Sequence, residues 1–147
     1  MKKTLSNYEI EYIFNKLNVP DNFLRTTDDN KKLPIKILWK IYNNLEALEK
    51  IFAKIDKEKM NINDSYSTDE KSSFVVNEET GETLRQVKQE YLEQYKKDVN
   101  ELMGIENELI IDTIPLSWIE NINMLPSDFE SIRFMIEDDN AIEDGGE

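Results

Sequence analysis

Residues 34–59 read PIKILWKIYNNLEALEKIFAKIDKEK, and this stretch decides the fold. Leu38, Ile41, Leu45, Leu48, Phe52 and Ile55 recur at spacings of 3, 4, 3, 4 and 3. That is the a/d alternation of a heptad stripe, sustained for about two and a half heptads. Pro34 suits the first helical turn, where its missing amide would have no partner in any case. Lys36, Lys40, Asn43, Lys50, Lys54 and Lys57 mostly fill the other faces. A helix from Pro34 to Lys59 would be about 39 Å long at 1.5 Å per residue. Such a stripe needs a cover, either within the chain or on another one.

A second periodic segment offers that cover. Leu84, Val87, Tyr91, Tyr95, Val99 and Leu102 predict a helix over Thr83–Met103, with one stutter in its period and Gly104 placed to stop it. The two segments therefore predict an antiparallel, coiled-coil-like helical hairpin. Between them, Asn61–Ser73 is polar and aperiodic and reads as loop. Phe74-Val75-Val76 followed by Asn77-Glu78-Glu79-Thr80-Gly81-Glu82 reads as a strand and turn, the start of a small β-hairpin with a weak return strand.

Shorter helices flank this centre. Ser6-Asn7-Tyr8-Glu9 has the form of a capping box, with Ile10, Ile13, Phe14 and Leu17 behind it and Pro20 as its stop. Asp21–Lys32 reads as loop. Leu109-Ile110-Ile111 is strand-like, and Trp118, Ile119 and Ile122 mark one or two helical turns. Ser127 and Glu130 form a second capping-box pattern before Phe129, Ile132, Met135 and Ile136. The expected fold class is mainly α: one helical domain over residues 1–137, with a frayed acidic tail over 138–147.

Charge is distributed unevenly along the chain. Residues 1–71 carry 13 Lys/Arg and 12 Asp/Glu, whereas residues 72–147 carry 5 and 19. From Asp98 onward, Arg133 is the only base against 14 acids. A surface of this kind selects cationic partners. Duplex DNA shows about one negative charge per 1.7 Å of axis, so spaced carboxylates on a rigid body can act as a DNA mimic toward a basic cleft. The competing reading is a solvated face that keeps the protein in solution. The candidate partner-binding residues are Glu101, Glu106, Glu108, Asp112, Glu120, Asp128, Glu130, Glu137, Asp138 and Asp139, with Trp118 as an aromatic anchor. Trp39 and Trp118 also read as core or rim anchors.

Chemistry at a catalytic site finds little support in the composition. The chain has no Cys and no His, so thiolate chemistry, zinc–thiolate sites and the commonest general base are all missing. Asn61, Asn63 and Asp69 have a faint calcium-loop spacing, but Tyr66 stands where that loop needs Gly and Ser72 where it needs a bidentate Glu. No phosphate-binding glycine loop or nucleophile elbow is present. The expectation is a non-enzyme with no cofactor and no metal. The start of the chain has basic residues but no apolar run after them, and no stretch is long enough to cross a bilayer, so a cytoplasmic location is expected.

Three groups of residues carry a family resemblance: Glu101-Leu102-Met103-Gly104-Ile105-Glu106, the run Ile110–Ile114, and Leu125-Pro126-Ser127-Asp128-Phe129-Glu130-Ser131-Ile132-Arg133-Phe134-Met135-Ile136-Glu137-Asp138. Over Asn100–Asp138, about a quarter of the chain, their order resembles a family of small uncharacterised proteins of tailed phages of Gram-positive bacteria. The N-terminal third departs from that pattern. The resemblance implies a phage origin and brings no catalytic or binding residues with it. Together with the acidic half, it leads to a function expectation: an acidic inhibitor that blocks a basic, nucleic-acid-binding surface of a host defence protein. The alternative is a virion accessory or assembly chaperone acting through coiled-coil contacts. The expected partner is a basic host or phage protein, with no direct nucleic-acid binding, no membrane contact and self-association as an open option.

Overall fold

The computed structural model describes residues 1–18, 23–26, 28 and 32–139. Pro20, most of the 21–32 loop and the acidic tail from Asn140 onward lie outside the described residues. The protein is mainly α with small two-stranded sheets, in the order β1 (Lys2–Ser6), α1 (Asn7–Leu17), α2 (Ile35–Ser65), β2 (Ser72–Val76), β3 (Thr83–Val87), α3 (Gln89–Met103), β4 (Glu106–Ile110), β5 (Ile114–Pro115), α4 (Pro126–Ile132) and β6 (Ile136–Glu137). It divides into two compact units: Met1–Phe52 with the chain from Glu106 onward, and Ala53–Ile105.

In the first unit the start of the chain meets a segment about a hundred residues later. β1 pairs antiparallel with β4, Lys2 opposite Ile110 and Ser6 opposite Glu106. The Ile111 amide donates to the Met1 carbonyl at 2.8 Å and extends the pairing. The capping box at Ser6 forms as the sequence predicts. The Ser6 hydroxyl accepts from the Glu9 amide (3.2 Å), and the Glu9 carboxylate accepts from the Ser6 amide (3.1 Å). α1 then buries Ile10, Ile13 and Leu17 at helical spacing. A strand before this helix was not expected. Residues 2–6 carry too little apolar pattern to announce one, and their order comes from a partner about a hundred residues away.

On α2 the buried seam is turned relative to the expected stripe. Ile41, Leu48 and Ile55 are fully buried, but so are Ile37 and Asn44, while Leu38, Leu45 and Phe52 are half-buried. A heptad of Ile37, Ile41, Asn44 and Leu48 describes that face better, and only the polar type of Asn44 hides it in the sequence. Phe52 stacks on Phe14 of α1 with ring centroids 4.4 Å apart. The stretch 111–135 supplies Ile111, Ile114, Ile119, Ile132 and Met135 to the same unit's core. β5 and β6 pair in parallel, Ile114 opposite Ile136.

The second unit corrects several boundaries. α2 continues to Ser65 through the stretch expected to be loop. Its last carbonyls are satisfied by the Ser65 hydroxyl on Ile62 (2.7 Å) and the Ser67 hydroxyl on Asn63 (2.6 Å). Asn61 and Asn63 are therefore helical, which removes the calcium-loop spacing altogether. Thr83–Val87 is a strand and not the first turn of a helix. It completes the hairpin with Ser72–Val76, Phe74 opposite Arg85 and Val75 opposite Leu84. Leu84 and Val87 fit either period, and the turn decides. The Asn77 side chain accepts from the Glu79 amide (3.0 Å), the Gly81 amide donates to the Asn77 carbonyl (2.7 Å), and Gly81 takes φ +74°. That φ is one which L side chains rarely adopt. α3 starts only at Gln89 and ends at Gly104, as expected of that glycine.

The second capping box does not form. Leu125 caps α4, with Pro126 at its first position, and no side chain bonds the cap. Pro126 has no amide to satisfy and its φ is already helical, so the helix begins ahead of Ser127.

Candidate functional site

The charge asymmetry of the sequence is redistributed by the fold. The first unit contains both the lysine-bearing N-terminal part and the acidic C-terminal part. It carries 10 Lys/Arg and 19 Asp/Glu, a net of −9. The second unit carries 8 and 12, a net of −4. Opposite charge brought into the same unit screens part of the field that the linear pattern implies.

Asp112 shows how this happens. Lys40 of α2 reaches its Oδ1 at 2.8 Å, and the Asn43 amide donates to Oδ2 at 3.2 Å. The Lys40 ammonium beside it holds the Asp112 carboxyl below the ordinary carboxylate range, against a desolvation effect of the opposite sign. Next to this pair, the Asn44 side chain pairs with the Asp112 backbone as a peptide group would. Its Nδ2 donates to the Asp112 carbonyl (2.8 Å), and its Oδ1 accepts from the Asp112 amide (2.8 Å). Asn44 Nδ2 also lies 3.3 Å from the Met135 sulfur. The chain after β4 is thereby fastened to the middle of α2.

Trp118 belongs to the same cluster. It ends a short 3₁₀ turn, Leu116–Trp118, and the Lys36 ammonium sits 4.2 Å from its ring centroid, with Lys40 at 5.7 Å. Half-buried under two lysines, Trp118 anchors α2 from within. Trp39, by contrast, is exposed.

The remaining candidate acids have varied surroundings. Glu130 pairs with Arg133 at 3.1 Å, one turn along. Glu137 accepts from the Thr113 hydroxyl at 3.3 Å, and Asp139 accepts from the amide (3.1 Å) and hydroxyl of Ser117. Asp138 is exposed. Glu101 lies in the second unit, on an exposed face of α3 with Lys96 and Lys97 nearby. Glu106 and Glu108 project from the exposed face of β4, with Thr4 opposite Glu108. Among the described residues, the carboxylates of Glu106, Glu108 and Asp128 meet no cation.

Two clefts add an apolar component beside these acids. They share Ile122 and Met124. One, of about 140 Å³, is lined also by Phe23, Leu33, Leu125 and Asp128. The other, of about 290 Å³, is lined by Leu116, Ile119, Glu120, Pro126 and Phe129. Asp128 thus stands at the rim of one apolar cleft and Glu120 at the rim of the other. No group of His, Cys, Asp and Glu among the described residues is arranged to hold a metal ion. Among them, no helix is long and apolar enough to cross a membrane.

The residues that sequence reasoning missed are Lys36, Lys40 and Asn44. The two lysines read as solvated helix faces. What marks them is their i, i+4 spacing on one side of α2, and only the fold puts Trp118 and Asp112 against that side. Comparisons of the chain with protein-family models, with curated proteins and with solved structures find no match.

Proposed function

We propose that this chain is a phage-encoded, acidic, non-enzymatic binding protein. It acts in the cytoplasm of a bacterial host by covering the basic, nucleic-acid-binding surface of a defence protein. The observation that carries the reading is the set Glu106, Glu108 and Asp128, which meets no cation among the described residues, in a unit of net −9, with Asp128 at the rim of an apolar cleft. Carboxylates left without counterions on ordered elements steer and orient a cationic partner. Asp112, Glu130, Glu137 and Asp139 contribute to the field while also serving the fold.

The test is a pull-down from a Gram-positive host lysate at low and at high salt. Basic nucleic-acid-binding proteins should be retained at low salt and released at high salt, since screening shortens the reach of such contacts. The triple substitution Glu106→Lys, Glu108→Lys, Asp128→Lys should weaken retention by about tenfold or more. Capture that ignores both salt and the substitutions overturns the proposal.

A second reading, a virion accessory or assembly chaperone, is favoured by a different observation. α3 lies against the last turns of α2: Tyr66 donates to Asp98 at 2.6 Å, and Tyr95 donates to Asn63 at 2.6 Å. The Lys88 amide on the Lys71 carbonyl starts α3 beside the end of α2. We propose that these parts form the antiparallel, coiled-coil-like hairpin and that its outer faces take up partner helices. Mass spectrometry of purified particles tests the virion accessory, and a deletion tests the chaperone, because loss of an inhibitor still yields normal particles.

A further inference from the structure

The β2–β3 ribbon has an unusual surface for a pair of strands. Phe74, Val75 and Val76 are 63%, 43% and 59% exposed, and Leu84 across from Val75 is 52% exposed. Val75 and Leu84 share one face of the ribbon, and Phe74 and Val76 share the other, so apolar side chains meet water on both faces. No third strand joins either edge among the described residues. Two strands alone are marginal in water, whereas three or more are not.

The open edge of β2 is ready for pairing. Asn77 donates to Glu82 and Lys88 donates to Lys71, each at 2.8 Å. In an antiparallel ladder, hydrogen-bonded pairs alternate with non-bonded ones. The odd-numbered residues from Lys71 to Asn77 therefore bond toward β3, and the peptide groups of Phe74 and Val76 point outward. The charges are also ordered. Lys71 and Lys88 stand at the root, with Asp69, Glu70 and Glu90 flanking them, Arg85 stands at mid-strand opposite Phe74, and the acids Glu78, Glu79 and Glu82 stand at the tip. Arg85 is held by the Ser72 hydroxyl (2.7 Å), by Asp69 (3.5 Å) and by the Phe74 ring (4.3 Å to the centroid).

We infer that β2 is a self-pairing edge: it joins β2 of a second copy of this chain, antiparallel about a twofold axis at Val75, to make a four-stranded sheet. Reversing one ribbon against the other brings the acids of each tip to Lys71 of the other's root, and a twofold contact repeats this at both ends. With Val75 on the axis, Phe74 faces Val76 of the second copy and bonds it through the outward peptide groups. Aromatic–β-branched pairs of this kind stabilise a sheet. In the same register Lys71 comes level with Glu79 of the second copy.

Sedimentation equilibrium of the full chain from micromolar to millimolar concentration tests the inference. The wild-type protein should show a monomer–dimer equilibrium. Val76→Pro removes an outward amide and spares the β2–β3 ladder, and should raise the dimer dissociation constant by about tenfold or more. Glu79→Lys sets two lysines against each other at each end and should also weaken the dimer. The double variant K71E/E79K should restore it. Circular dichroism that matches the wild type keeps folding out of the comparison. A chain that stays monomeric to millimolar concentration, or a dimer indifferent to Val76→Pro, overturns the inference and leaves the edge to a strand of some other protein.

Discussion

The two units are held by different chemistry. The first has a dense aliphatic core, built from Ile10, Ile37, Ile41, Leu48, Ile111, Ile114, Ile132 and Met135, and a buried amide at its centre. The second has few fully buried apolar side chains among its described residues, namely Ile55, Tyr66 and Met103. α3 meets the end of α2 and the turn after it through phenols instead: Tyr66 on Asp98, Tyr95 on Asn63 and Tyr91 on Glu70, with Tyr66 and Tyr95 in edge-to-face contact at 5.3 Å. One helix, α2, contributes to both. The difference teaches that a single hydrophobic period need not have a single kind of partner. Up to Phe52 the α2 seam is buried in an aliphatic core around Asn44, and after Ala53 only Ile55 of the described α2 residues is fully buried and directional polar contacts carry more of the packing.

The sharpest way to break this contrast is at Asn44, which is 2% exposed. Asn44→Ala leaves the Asp112 amide and carbonyl without their partners and opens a small void near Met135. An unsatisfied buried polar group costs about 1–3 kcal/mol, so the substitution should destabilise the first unit by about 2–4 kcal/mol. Both tryptophans, Trp39 and Trp118, lie in that unit. Urea unfolding followed by tryptophan fluorescence should therefore show the loss directly. A shift below about 0.5 kcal/mol would show that water replaces the amide without penalty.

Tyr66 sharpens the same contrast from the second unit. Tyr66 is 3% exposed as a residue and its hydroxyl donates to a carboxylate, and that hydrogen bond, with burial, pushes its pKa from 10.0 up to about 12. The folded pKa is above the unfolded one. The contribution is complete below pH 10 and is lost as pH rises toward 12, because the unfolded state releases its proton first. Stability of the wild type should fall across that window, and Tyr66→Phe should remove this part of the fall. Absorbance near 295 nm should show one tyrosine fewer titrating at the alkaline end in the variant. The same alkaline loss in both proteins would mean that the phenol is not held.

How far the sequence announces these arrangements depends on whether their cause is local. The Ser6–Glu9 cap, the start of α2 at Pro34, the turn at Gly81 and the stop at Gly104 are all legible, because neighbours a few residues away determine them. β1 is illegible, since only its partner Glu106–Ile110 gives residues 2–6 a reason to be extended. Leu84 and Val87 mislead because a spacing of three suits a helical face, while their pairing with Val75 and Ser72 lies outside any helical window. Ser127 misleads because Pro126, one place earlier, is the better start. The candidate site was legible as a count of acids and not as a surface. Asp112 and Glu130 have their own bases, Lys40 and Arg133, and the first of these lies 72 residues back. Glu106, Glu108 and Asp128 differ from them only in what the fold leaves opposite each carboxylate.

Asp112 gives the smallest of the expected effects and the one that tests this last distinction. Its ion pair with Lys40 is partly open to water, with side chains 36% and 26% exposed. Solvent screening limits such a pair to about 0.5–1 kcal/mol at neutral pH. The folded carboxyl titrates below the unfolded one, so the contribution is complete above the unfolded value and disappears as pH falls through the folded value. Asp112→Asn keeps the backbone clasp to Asn44 and removes only the charge. It should cost about 0.5–1 kcal/mol at pH 7, flatten the acid limb of the stability profile and leave stability unchanged where Asp112 is already protonated. Glu108→Gln, at a carboxylate that meets no cation among the described residues, should cost less at pH 7 than Asp112→Asn does. If the two substitutions cost the same at pH 7, the separation of fold-serving acids from partner-facing acids fails, and the field of the first unit is better treated as one undivided surface charge.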